Sequence, residues 1–330
     1  MTRLELNDLE ITYRMADRPD ISAVSNASFE IQSGEYFGLV GESGCGKSTV
    51  AKALLGGLDA NGEIVSGEIL YNGEPVHNFS ESEFRNKLRW KEIALIPQGS
   101  MNSLDPIAKV SDQALEIGHI HTDWNDSKIL SRLEELFEIV GIAPSRIHDY
   151  AHQFSGGMEQ RALIAFSLLL EPSLIIADEP TTALDVIMQD EILAHFDAIK
   201  GEDLSMLMIT HDMSVVLETC DSMAVMHSGQ TAETGYVRDL YDNPRHPYTK
   251  LLQEAFPDVR NPDRDLAEIE GHPPELTDDV DYCTFADRCP WARPECSDSP
   301  PPLESVDGET GHEVACVRSE QLDLGSRDRD

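Results

Sequence analysis

Residues 41–49 read Gly41-Glu42-Ser43-Gly44-Cys45-Gly46-Lys47-Ser48-Thr49, a complete G-x-x-x-x-G-K-[ST] loop. It follows the apolar run Tyr36-Phe37-Gly38-Leu39-Val40 and opens a helix-like stretch from Val50 to Leu58. That is the strand, loop and helix context a phosphate-binding loop requires. Glycines let successive backbone N–H groups turn toward one anion, the helix N-terminus adds its dipole, and Lys47 brings a full charge to the β- and γ-phosphates. Ser48 supplies the hydroxyl that ligates Mg2+ in such loops. A glycine turn that binds nothing can match part of the pattern, but strand, lysine and hydroxyl together point to a nucleoside triphosphate.

A chain of 330 residues can hold one large domain and an appendage. Its 61 acidic residues against 25 basic ones give a net charge of −36. With no long basic run, that balance argues against a nucleic-acid partner. The charge is spread over the whole chain, as in proteins of salt-loving cells, with an ordinary acidic cytosolic protein as the alternative; salt is expected to screen the self-repulsion. No apolar stretch approaches the ~20 residues needed to cross a bilayer. The N-terminus runs directly into alternating apolar and polar residues rather than into a secretory signal. A cytoplasmic chain is therefore expected, and in a reducing compartment its six cysteines are not expected to form disulfides.

Residues 3–13 and 23–32 alternate as half-buried strands do, with Gly34 marking the turn between the second of them and the phosphate-loop strand. The apolar runs Tyr36–Val40, Leu174–Ala177, Met206–Ile209 and Met223–Met226 recur between helical patterns, which implies a covered parallel sheet and an α/β fold. From about residue 100 to 151 the spacing of Ile129, Leu133, Leu136, Phe137 and Val140 reads as helices inserted in that core. Beyond Phe256-Pro257 the composition turns to Pro, Asp and Cys and the periodicity fades. The expected organisation is an ATPase domain over 1–256 with a helical part at about 99–155, a cysteine-rich extension over 257–318, and a disordered acidic tail over 319–330.

Leu174-Ile175-Ile176-Ala177-Asp178-Glu179 is an apolar strand ending in two carboxylates. Beside a phosphate loop, Asp178 would serve the Mg2+ shell and Glu179 would orient or deprotonate the attacking water. Upstream, Phe154-Ser155-Gly156-Gly157-Met158-Glu159-Gln160 opens a helix running to Leu170, with Ser155 as the N-cap. Here the chain resembles the ABC-type ATPases, a resemblance that extends over about residues 3–318.

That resemblance implies a P-loop NTPase fold of ABC type: a RecA-like core, an antiparallel β subdomain and a helical insertion. It also implies that Ser155, Gly156 and Gly157 complete the site of an opposite subunit, so that ATP is sandwiched between two ATPase domains. Tyr13 matches the aromatic that stacks on adenine, a strand Tyr in a core being the alternative. Gln98, in Ile96-Pro97-Gln98, matches the glutamine that ligates Mg2+, and His211 matches the switch histidine at the γ-phosphate. Asp185, in Thr182-Ala183-Leu184-Asp185, falls in the loop that links the two sites, with Thr182 where serine is commoner. Pro97 for a frequent phenylalanine and Glu159 for a common basic residue are departures that remove no group the chemistry needs.

Asp242-Asn243-Pro244-Arg245-His246-Pro247-Tyr248-Thr249 resembles the segment closing the ATPase domain in the oligopeptide/dipeptide importer family, and the cysteine-bearing extension is similar too. The likeness is to the first of that family's two ATPase types. It implies a second ATPase subunit in a heterodimer, two membrane permease subunits, an extracellular solute-binding protein reached indirectly, and a peripheral position on the cytoplasmic membrane face. A soluble ABC ATPase uncoupled from transport is the alternative. Cys283, Cys289, Cys296 and Cys316 lie in a proline-rich, poorly hydrophobic segment that needs a cross-link to order itself. Their spacing leaves a [4Fe-4S] cluster, Zn2+ and free thiols open, and the resemblance favours the four-iron cluster. His272 and His312 read as loop residues, and the extension is expected to fold apart from the phosphate loop, so that its cysteines are dispensable for nucleotide binding.

Overall fold

A computed structural model of the chain describes residues 1–99, 103–181, 186–201, 203–255, 269–274, 276–277, 280, 282–306, 311–322 and 324, without the side chains of 186–188. It divides into two compact units, residues 1–78 with 209–330, and residues 79–208.

The first unit holds most of the strands. β1 (Thr2–Tyr13), β2 (Ile21–Gln32), β4 (Gly62–Tyr71) and the short β5 (Glu74–Pro75) form an antiparallel layer. β1 does not alternate throughout: Leu4 and Leu6 are buried, and so are Leu9 and Ile11, with a register shift between the pairs at Asn7–Asp8. Asp8 takes φ +47° there, and Gly67 of β4 lies so close to the Asp8 carbonyl that a Cβ would sit 2.3 Å from it. The bulge keeps one face of a long strand apolar on both sides of the slip.

The phosphate-loop strand β3 (Tyr36–Val40) is buried throughout and pairs in parallel with β9 (Ser222–His227), as its unbroken apolar run predicts. β10 (Gln230–Tyr236) returns antiparallel to β9. The helix after the loop, α1 (Lys47–Leu54), begins at the lysine and stops short of Gly56 and Gly57, rather than running from Val50 to Leu58. Helices α7 (Met213–Thr219), α8 (Val237–Asp242) and α9 (Pro247–Ala255) cover this side. Gly38 lets α7 approach β3, since a Cβ there would stand 2.5 Å from Val216.

The cysteine-bearing residues are built into this unit. β12 (His312–Val314) pairs with β10 and with β11 (Glu304–Ser305), so regular structure continues where sequence periodicity fades. His312 is therefore a strand residue, not a loop residue. Its Nε2 lies 2.8 Å from Glu233, a fully buried carboxylate that also accepts backbone N–H bonds from Arg245 and His246. Phe285 is 1% exposed in one core with Val40, Tyr248 and Leu252, and Cys283 and Cys289 pack against that core. Ser319, Gln321 and Leu322 turn back through hydrogen bonds to Cys316 and Arg318, and Leu324 is buried.

The second unit carries β6 (Ile93–Ile96) parallel to β7 (Leu174–Asp178), with β8 (Ser205–Thr210) on the other side of β7. A helical turn, α2 (Glu81–Glu83), with a full Ser80 capping box runs into a π turn at Phe84–Leu88. The expected helices are α3 (Val110–His121) and α4 (Asp126–Ile139). The predicted stripe of Ile129, Leu133, Leu136, Phe137 and Val140 is buried, and Gly118 makes room for Ile129, which a Cβ would meet at 2.3 Å. α5 (Gly156–Ser167) and α6 (Val186–Ile199) follow. Among the described residues no helix is long and apolar enough to cross a membrane.

Candidate functional site

In the first unit, Gly46 caps α1 with φ +106°, and a Cβ on it would stand 2.5 Å from the Ala23 carbonyl, so only glycine fits. Gly41 is equally confined: a Cβ would meet the Met226 carbonyl at 2.1 Å and Cys45 Sγ at 2.8 Å. Lys47 is 5% exposed, and its Nζ donates to the Gly41 and Glu42 carbonyls, each at 2.8 Å. The ammonium thus stands inside the loop it serves. Ser43, Gly44 and Ser48 are exposed and Thr49 is half-buried.

Cys45 contributes its backbone to the loop rather than its thiol. Its carbonyl accepts from Gly229 at 2.9 Å, while Sγ is buried within 3.6 Å of Lys47 Nζ. Burial pushes the thiol pKa up against the opposing pull of Lys47, which makes it a poor nucleophile. Tyr13 closes β1 half-buried, its ring against Gly62, where a Cβ would meet it at 2.9 Å. His211 follows β8 on an exposed turn, and the next residue, Asp212, caps α7 by accepting from Ser214 at 2.8 Å.

In the second unit, β7 ends at Asp178, and Glu179 takes φ +48°, turning the chain sharply at the second carboxylate. A left-handed non-glycine residue costs of order 1–3 kcal/mol and clusters at functional positions. Gln98, just past β6, donates its Nε2 to Glu179 Oε2 at 3.0 Å. The pairing of β6 with β7 brings these two residues together across 81 positions of sequence. Ser155 is the N-cap of α5 in backbone geometry, but its exposed hydroxyl makes no capping bond. Gln160, which the sequence reading passed over, is 3% exposed and donates to the Pro180 carbonyl at 2.7 Å, tying α5 to the turn after Glu179. Flanked by Glu159 and Arg161, it carries no local signal that sets it apart from a solvated polar residue. Thr182 and Asp185 lie outside the described residues.

The extension is not independent of the phosphate loop. Arg288 forms a two-pronged ion pair with Glu42, both N–O distances 2.8 Å, and Tyr248 Oη accepts the Glu42 backbone N–H at 3.0 Å. All six cysteines are free thiols. Cys283, Cys289, Cys296 and Cys316 come within electrostatic reach of one another; with burial as the main cause, Cys289 and Cys316 are pushed up to about 11. Among the described residues no three His, Cys, Asp or Glu side chains are disposed to hold one metal ion.

A buried strand leading into a glycine-confined loop with an internal lysine, and a second strand ending in paired carboxylates, define a P-loop ATPase. The ABC transporter family model matches residues 24–182, and that of the oligopeptide/dipeptide transporter C-terminal region matches 232–296. The chain is 40% identical to the oligopeptide transport ATP-binding protein OppD of Salmonella typhimurium over 90% of its own length and 89% of that protein. It is 38% identical to the dipeptide transport ATP-binding protein DppD of Bacillus subtilis, covering 91% of this chain and 90% of that one. Among solved structures, cbiO1 of Clostridium perfringens, part of an ABC transporter complex, matches with a TM-score of 0.62 at 26% identity over 73% of this chain and 91% of that one. A dimeric ATP-binding cassette bound to ADP and phosphate matches in fold, with a TM-score of 0.61 at 24% identity over 71% of this chain and 99% of that one. The chain belongs to the ABC transporter ATPases, in their oligopeptide/dipeptide branch.

Proposed function

We propose that the chain is the subunit that hydrolyses ATP to drive an importer of peptides. The observation that carries this is near full-length identity of about 40% to ATP-binding proteins of oligopeptide and dipeptide transport, including the C-terminal region specific to them. Lys47 and the loop amides grip the β- and γ-phosphates, and Tyr13 offers a ring to the adenine. Ser48, Gln98 and Asp178 are the oxygen donors for Mg2+, which neutralises phosphate charge when bound. Hard oxygen ligands of this kind suit that ion. Glu179 takes the proton of the attacking water, His211 contacts the γ-phosphate, and Asp185 lies in the loop linking two sites. Ser155, Gly156 and Gly157 serve the nucleotide of a partner ATPase subunit, in keeping with a cap hydroxyl that its own helix does not use. The partners are a second, related ATPase chain, two permease subunits at the cytoplasmic membrane face, and a solute-binding protein acting through them. In a strain lacking the gene, uptake of labelled di- and oligopeptides should fall to background and return with the wild-type chain but not with Lys47→Ala. Unchanged uptake in the deletion strain would rule out peptide import.

We further propose a [4Fe-4S] cluster at Cys283, Cys289, Cys296 and Cys316. Four thiols drawn together from a segment of 34 residues support it. A single Zn2+ would need its sulfurs at about 2.3 Å from one point. A polynuclear group spans wider spacings. Such a cluster would cross-link the extension as a structural staple. Protein purified without oxygen should be brown, with about four iron and four sulfide per chain by the cube's stoichiometry, and Cys296→Ser should bleach it. One zinc in colourless protein would instead establish the alternative.

A further inference from the structure

Glu42 adds a carboxylate to the phosphate-binding loop, whose ligand, a nucleoside triphosphate, is itself strongly negative. Left alone, it would oppose the ligand the loop is built for. The structure answers this charge with Arg288, whose side chain is 6% exposed and whose two terminal nitrogens each lie 2.8 Å from a Glu42 oxygen. Arg288 is itself held. Its Nε donates to the Glu270 carbonyl at 3.0 Å, and Nη1 lies 3.3 Å from His227 Nε2. Burial, with help from Arg288, drives His227 down to about 3, so the ring is neutral and Nε2 accepts. The proton then sits on Nδ1, which donates to Thr284 Oγ1 at 3.0 Å. Arg288 ends the single turn Ala286–Arg288, between Cys283 and Cys289, and Phe285 at its base is locked in the core. Its backbone is fixed by Ala286 N–H to the Cys283 carbonyl and Cys283 N–H to the Cys296 carbonyl.

We propose that Arg288 is a positioning residue for the phosphate-binding loop, through which the cysteine-bearing extension neutralises Glu42 and sets affinity for the nucleoside triphosphate. Charge-assisted, two-pronged pairs shielded from water are the strong ones, so the Glu42 backbone is fixed together with its charge. The inference rests on the ATP-binding role proposed above. Wild-type binding of Mg·ATP is therefore measured first, and its absence would defeat that role rather than this one.

The test is a double-mutant cycle on the full chain, reading the Kd for a fluorescent ATP analogue with Mg2+ and checking each variant by thermal melting. Arg288→Gln leaves Glu42 charged and unanswered and should raise Kd at least about tenfold. Glu42→Gln removes the charge and should raise it no more than about threefold. The decisive outcome is the pair: Arg288→Gln with Glu42→Gln should bind better than Arg288→Gln alone, because the offending carboxylate is gone. A residue that only holds the extension in place would give a double variant at least as weak as the single one. If Arg288→Gln does not fold, Arg288→Lys, which keeps the charge and loses the fork, takes its place with an expected rise of about threefold. A Kd within experimental error of wild type for a folded Arg288 variant, or additive losses in the cycle, would overturn the proposal.

Discussion

Glu179→Gln is expected to bind Mg·ATP as tightly as the wild-type protein and to release phosphate about 10²–10⁴ times more slowly, the usual contribution of a positioned general base. The substitution preserves volume and tolerates the same backbone, which matters at φ +48°. It also keeps an oxygen that can accept the Gln98 amide, now 3.0 Å away. What it removes is the capacity to take a proton from water. Phosphate release and ATP binding, measured on one preparation assembled with its partner subunit, separate the two effects. Turnover near the wild-type rate would remove Glu179 from the mechanism.

Phe285→Ala is expected to destabilise the first unit by about 3–5 kcal/mol, the range for deleting a buried aromatic side chain. The ring is 1% exposed and packs 5.3 Å from Tyr248 and 5.2 Å from His227, centre to centre. Tyr248 in turn accepts the Glu42 N–H of the phosphate loop, so the cavity would open beneath the site rather than in a distant appendage. Urea denaturation followed by tryptophan-independent far-UV signal gives the comparison. A loss below about 1 kcal/mol would mean that the extension adds little to this core.

The parts of the fold legible in the sequence are those whose signal is local. β3, β7, β8 and β9 are covered on both faces, so each reads as an unbroken apolar run. The α4 stripe reads at helical spacing because one face is buried and the other wet. β4 escaped notice because its first half, Gly62–Ser66, is mostly exposed even at Val65 and shows no apolar alternation, and β10 because buried Thr231, Glu233 and Thr234 look like surface residues until their partners are known. β12 is three residues long and exists by pairing with β10, about 80 positions earlier. The phosphate loop was legible for the same reason as the strands, since glycine, lysine and hydroxyl are adjacent in sequence. Its supports were not: Tyr248 and Arg288 stand 206 and 246 positions from Glu42, and nothing local to either announces the contact. The burial of the Cys45 thiol inside that loop is likewise a tertiary fact that a linear pattern does not carry.

The central claim, that ATP hydrolysis by this chain drives peptide import, is tested most directly in sealed proteoliposomes. These would hold the chain, its partner ATPase and the permease subunits, with the solute-binding protein and a labelled peptide on the opposite side from ATP. Peptide should accumulate only with Mg·ATP, phosphate release should rise when peptide and binding protein are present, and Glu179→Gln should abolish both together. Phosphate release that ignores peptide, with no peptide accumulating, would contradict the account and point to an ATPase uncoupled from transport.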